Sequence, residues 1–120
     1  MTRYHVTKEV PLRSSNARVE FRVYDDGSYG YALISYETLV ALDLSDLANN
    51  EHRGETIYLG PKFDCSMTTM GHVRKFLEDY AGMCVSIPEI RRRLADPKSY
   101  VKRCSHRALW YQAKPYETID

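Results

Sequence analysis

The stretch ARVEFRVY, residues 17–24, alternates apolar and polar positions. Val19, Phe21 and Val23 point to one side, and Glu20, Arg22 and Tyr24 to the other. A period of two is the mark of a strand with one face on a core. DDGS (25–28) follows as a tight-turn signal, because glycine enters positive φ without a Cβ clash. YGYALIS (29–35) then returns, so 17–35 is predicted as a β-hairpin. YHVTKEV (4–10) fits an edge strand that stops before Pro11, and ETIYLG (55–60) a short strand ended by Gly-Pro. TLVALDL (38–44) has no clean period: Thr38 and Val40 favour strand, its leucines and alanine favour helix, and strand is the reading adopted. SDLANNEHRG (45–54) is polar and reads as a loop.

After residue 66 the period changes. Met70, Val73, Phe76, Leu77 and Tyr80 make one stripe of a helix over 67–81, with Arg74, Lys75, Glu78 and Asp79 outside it and Gly82 as its stop. Thr68 or Thr69 is the expected N-cap, where a side-chain oxygen accepts from a free N–H of the first turn. His72 then falls in the first turn, off the stripe. SIPEIRRRL (86–94) starts a second helix: Ser86 and Glu89 have capping-box spacing, Pro88 suits the first turn, and Ile87, Ile90 and Leu94 form the apolar side. DPKS (96–99) ends it. HRALWYQAK (106–114) reads as a short helix docking Leu109 and Trp110, the least defined element. The expected architecture is α+β: one domain, residues 1–120, with an N-terminal antiparallel sheet of about four to five strands packed by two or three C-terminal helices.

Composition adds two features. Tyrosine is over-represented, with ten Tyr against three Phe and one Trp. Its rings serve first as cover for a small sheet, and also suit contact residues at an interface. Net charge is +1 but segregated. Residues 20–55 hold eight acids and two bases; residues 91–114 hold eight bases and Asp96 as the one acid. Such asymmetry marks a charged binding end, or two ends that fold onto one another. MTRYHVTKEV has no apolar signal region, and no stretch approaches the roughly 18 apolar residues of a membrane helix. A cytoplasmic protein with reduced thiols is expected.

The densest chemical vocabulary is CSMTTMGHVRKFL (65–77), which holds Cys65 and His72, a conceivable nucleophile and base. The same hydroxyl residues are accounted for as a helix start. Cys65, Cys84 and Cys104 lack the close pairs of structural zinc, and the glycines match no nucleotide-binding motif. No enzyme, metal or cofactor is expected. The remaining signal is binding. The candidate contacts are Asp25, Asp26, Tyr29 and Tyr31 on the acidic half, and Arg91, Arg92, Arg93, Lys102, Arg103 and Arg107 on the basic half. Glu37, Asp43 and Asp46 extend the acidic set, and Lys98, Tyr100, Trp110 and Tyr111 the basic one.

ISYETLVA (34–41) and IYLGPKFDCSMTTMGHVRKFL (57–77) together resemble a family of small uncharacterised proteins of phages and bacterial mobile elements. The residues that carry the resemblance are Ser35, Tyr36, Thr38, Val40 and Ala41, then Ser66, Thr68, Thr69, His72, Phe76 and Leu77. Cys65 stands where that family often has an aromatic residue. The resemblance covers about a third of the chain and implies a context, the bacterial cytoplasm, rather than an activity. In that context the expected function is inhibition by binding a host protein, with a Cas effector complex as the specific partner (an anti-CRISPR protein). The alternative is a nucleic-acid accessory protein using the basic C-terminal segment.

Overall fold

The computed structural model describes residues 4–12, 14–25, 27–45 and 55–103. Six strands form one sheet in chain order: β1 (Tyr4–Leu12), β2 (Ser14–Tyr24), β3 (Tyr29–Ser35), β4 (Thr38–Ser45), β5 (Glu55–Leu59) and β6 (Val101–Arg103). Helices α1 (Met67–Tyr80) and α2 (Ile87–Ala95) lie between β5 and β6. This is the expected α+β layout with two corrections. The sheet is mixed, because β6 runs parallel to β5, with Ile57 opposite Val101. A parallel return needs a long crossover, which the two helices supply; three residues with one apolar position carry no readable period. Strand β1 also continues through Pro11, which pairs with Arg18. Proline lacks the N–H for an inner strand but is tolerated in an edge strand. A register shift at Thr7 and the exposed Lys8 interrupt the same edge.

Glu20, Arg22 and Tyr24, which point to the side opposite Val19, Phe21 and Val23, are buried too, with 7%, 3% and 2% of their surface accessible. Both faces of the sheet are covered. One carries the main core, where Val19, Leu33, Ala41, Ile57 and Leu59 meet Val73, Phe76, Leu77 and Ile90 of the helices. The other buries Tyr4, Tyr24, Ala32, Leu42, Leu44 and Tyr58. Double burial explains why β4 had no alternation: a strand covered on both sides reads as a continuous apolar run. Within the second face Arg22 donates to Glu20 at 3.0 and 2.7 Å, and its guanidinium lies 4.0 Å from the Tyr4 ring centroid. Burial works against the Arg22 charge, but Tyr24, Tyr4 and Glu20 outweigh it and hold its pKa above the ordinary arginine value.

The N-cap of α1 is Ser66, not Thr68 or Thr69: its Oγ accepts from the Thr69 N–H at 3.1 Å. Val73, Phe76 and Leu77 are fully buried, while Tyr80 is half-buried. Gly82 takes φ +66° just past the helix, and the Met83 N–H returns to the Leu77 carbonyl. Helix α2 forms half of its capping box: Ser86 Oγ accepts from the Glu89 N–H at 3.3 Å, while the Glu89 carboxylate turns to Arg92 and Arg93. No helix among the described residues is long and apolar enough to cross a membrane.

The direction of α1 follows from its contacts. Thr69 and His72 touch Ser35, and Tyr80 packs on Tyr31 at 5.1 Å. Eight helical residues rise about 12 Å and four strand residues about 13 Å. The helix therefore runs back along β3, with its N-terminus at the β3–β4 turn.

Candidate functional site

The N-terminus of α1 meets the β3–β4 turn in a buried polar clasp. Ser35 Oγ lies 2.9 Å from His72 Nδ1 and 3.4 Å from Thr69 Oγ1. Ser66 Oγ and the Cys65 thiol both reach Thr69 Oγ1, at 3.2 and 3.7 Å. Ser35, Thr69 and His72 retain 2%, 3% and 5% of their surface accessible. The sequence-based placement of His72 off the buried side is therefore corrected. Positions 69, 72, 73, 76, 77 and 80 make one unbroken helical stripe once Thr69 and His72 are admitted to it, and that spacing was the readable signal. A serine on a histidine has the parts of an acyl-transfer pair. Here neither atom faces an open surface, and the pair fastens the helix to the hairpin.

Directly above the clasp the backbone is strained. Tyr36 and Glu37 form a two-residue connection between paired Ser35 and Thr38, and both have positive φ, 49° and 63°. This is the pattern of a type I′ turn, which suits Asn-Gly because a Cβ is crowded there. Three contacts hold it. The Tyr36 N–H donates to the Asn16 carbonyl at 2.9 Å. The Tyr36 ring sits 6.1 Å from the His72 ring. Glu37 accepts from Arg18 at 2.7 Å. Burial disfavours the Arg18 charge, yet Glu37, Glu20 and Glu9 more than compensate and raise its pKa. Tyr36 stays 53% exposed, and Met67, first residue of α1, 85% exposed. The corner thus presents a large ring and a thioether, residue types over-used at binding surfaces.

Among the described residues the acidic set does not assemble into one patch. Asp25 is exposed. Glu37 is paired with Arg18, and Asp43 is buried on the helix side of the sheet, opposite Tyr31 and Ile57. Asp26 and Asp46 lie outside the described residues. Tyr29 is exposed and Tyr31 half-buried, at the end of β3 far from Tyr36. On the basic half, Arg91 pairs with Asp64, and Arg92 and Arg93 share Glu89. Lys98, Lys102 and Arg103 are exposed, without a carboxylate partner among the described residues. Arg107, Cys104, Trp110, Tyr111 and the expected helix over 106–114 fall outside the described residues. Cys65 and Cys84 are exposed free thiols, and no metal-holding group of His, Cys, Asp and Glu occurs among the described residues.

A cavity of about 360 Å³ lies against α2, lined by Glu89, Arg92, Arg93, Asp96, Ser99 and Tyr100. Its polar groups are engaged locally: Glu89 by both arginines, Asp96 by the Lys98 N–H, and Ser99 by the Val101 N–H. Of the sites described, the Tyr36 corner is the one where exposure and backbone strain coincide. The two halves of the motif noted in the sequence, Ser35–Tyr36 and Thr69–His72, meet there. The chain matches no family model, no curated protein and no solved structure.

Proposed function

We propose that this protein works without chemistry of its own, by binding a host protein through the Tyr36 corner. The observation that carries this reading is the pair of left-handed residues. A non-glycine residue there costs on the order of 1–2 kcal/mol. Strain of this kind persists where the surroundings hold it in place, and it gathers at functional sites. Asn-Gly would build the same turn without it. Keeping Tyr36 and Glu37 makes sense where the exposed ring is used. The resemblance to phage and mobile-element proteins makes a Cas effector complex the specific partner proposed, as an anti-CRISPR protein in the cytoplasm of a bacterial host.

The double variant Tyr36→Asn, Glu37→Gly tests this. It should be more stable by about 1 kcal/mol, since relief of strain at two positions outweighs one exposed ion pair and the Tyr36–His72 ring contact. It should also lose capture of the host protein from bacterial lysate, and lose protection in plaque assays against strains carrying different CRISPR systems. A stabilised variant that still captures and protects sinks the Tyr36 assignment. Wild-type protein that enriches no host protein and protects no phage sinks the binding reading itself.

The exposed Lys98, Lys102 and Arg103 favour one second reading, a nucleic-acid accessory protein. Each phosphate contact contributes about 0.9 to the log–log salt slope on duplex DNA. On this reading Lys102→Ala lowers the slope by about that amount. Gel shifts with duplex and single strands at low salt that detect no binding at micromolar protein remove it.

A further inference from the structure

On the helix side of the sheet α1 stops one row short. Tyr80, its last residue, packs on Phe21 and Tyr31 at 6.0 and 5.1 Å. The next row along the strands is His5, Val23, Tyr29 and Ser45, set by the pairings His5–Val23, Val23–Tyr29 and Tyr29–Ser45. Val23 is 37% and Tyr29 56% exposed, and they are direct cross-strand neighbours. They continue the half-buried surface of Phe21, Tyr31 and Tyr80. On either side of this row stand opposite charges. Lys8, 5.5 Å from the Phe21 ring centroid, lies on the α1 side, and Asp25 lies beyond Val23. Both are exposed, and neither has an ion-pair partner among the described residues.

We infer that this row is the contact face of a homodimer, the occupant being a second copy of this chain. A two-fold interface must complement itself: what one copy presents at i, the other must accept at j. A two-fold axis along the row sets the Val23–Tyr29 pair of one copy on that of the other. It also carries the Lys8 side of one row over the Asp25 side of its mate, so each copy supplies a cation to the other's carboxylate. The partner's α1 then hangs past the end of the sheet, clear of the first copy's helix. The patch is far smaller than the roughly 20–30 residues a side of a standard interface, so the dimer is weak and concentration-dependent. Tyr29 and Tyr36 sit at opposite ends of β3, about 20 Å apart, so dimerisation leaves both Tyr36 corners outward and the molecule bivalent.

Sedimentation equilibrium of the full chain from 5 to 500 µM tests this without any other partner (concentrations on the order of the micromolar range expected for so small a contact). A monomer–dimer equilibrium in that range is expected. Val23→Asp should raise the dissociation constant at least about tenfold, with the melting curve at low concentration showing that the variant still folds. Lys8→Glu and Asp25→Lys should each weaken the dimer, and together restore it. A strict monomer at the highest concentration overturns the inference, as does a dimer indifferent to Val23→Asp or one that the charge swap fails to rescue. These results are independent of host-protein capture, so failure here leaves the Tyr36 reading standing.

Discussion

Phe76→Ala lowers stability by about 3–5 kcal/mol, the range for emptying a phenyl site in a packed core. Phe76 has no accessible surface. It stacks on Tyr80 at 5.6 Å and belongs to the cluster that joins α1 to Val19, Leu33 and Ala41. Tyr80 in turn covers Phe21 and Tyr31, so the cavity also loosens the end of the helix over the aromatic surface. A domain of this size has roughly 5–15 kcal/mol in all. The loss is therefore a large fraction, seen as a fall in melting temperature of about 10–20 °C. Urea titration should show a lower midpoint with an unchanged slope. Unaltered melting of Phe76→Ala or Phe76→Asp means that α1 does not pack as described.

Glu20→Ala should cost about 3 kcal/mol or more, although it removes only a polar side chain from a strand. Arg22 keeps 3% of its side-chain surface, and Glu20 meets it at 2.7 Å while also facing Arg18 at 3.6 Å. Without the carboxylate, a guanidinium remains buried against the Tyr4 ring with its main counter-charge gone. Removing one partner of a buried pair is much worse than removing both. The double variant Glu20→Leu, Arg22→Met should recover most of the loss. Chemical denaturation of the single and double variants decides the matter, and additive losses in the double variant would refute the pairing.

The elements were legible from local pattern because each rests on local causes. The 17–35 hairpin followed from alternation and a glycine turn, and α1 from the step of Val73, Phe76, Leu77 and Tyr80. The stop at Gly82 and the Ser86 cap followed from backbone rules that act over a few residues. Local pattern puts the cap of α1 two or three residues late, because Ser66, Thr68 and Thr69 are all accepted cap residues. The folded chain separates them: Ser66 Oγ accepts from the Thr69 N–H, while the Thr69 hydroxyl turns toward Ser35.

What the tertiary structure alone decided is what depends on distant partners. Sequence alternation says that two faces differ, but not that both are covered; burial of Glu20 and Arg22 came from their pairing with each other and with Tyr4. The parallel β6 needed the path of the crossover. The Tyr36 corner is the plainest case. Nothing in SYET marks a left-handed turn, since neither residue is one that favours it. The conformation exists because the type I′ twist joins β3 to β4, while His72 from 36 residues later holds Tyr36 and Arg18 from 19 residues earlier holds Glu37. Local propensity opposes that geometry, and long-range contacts override it.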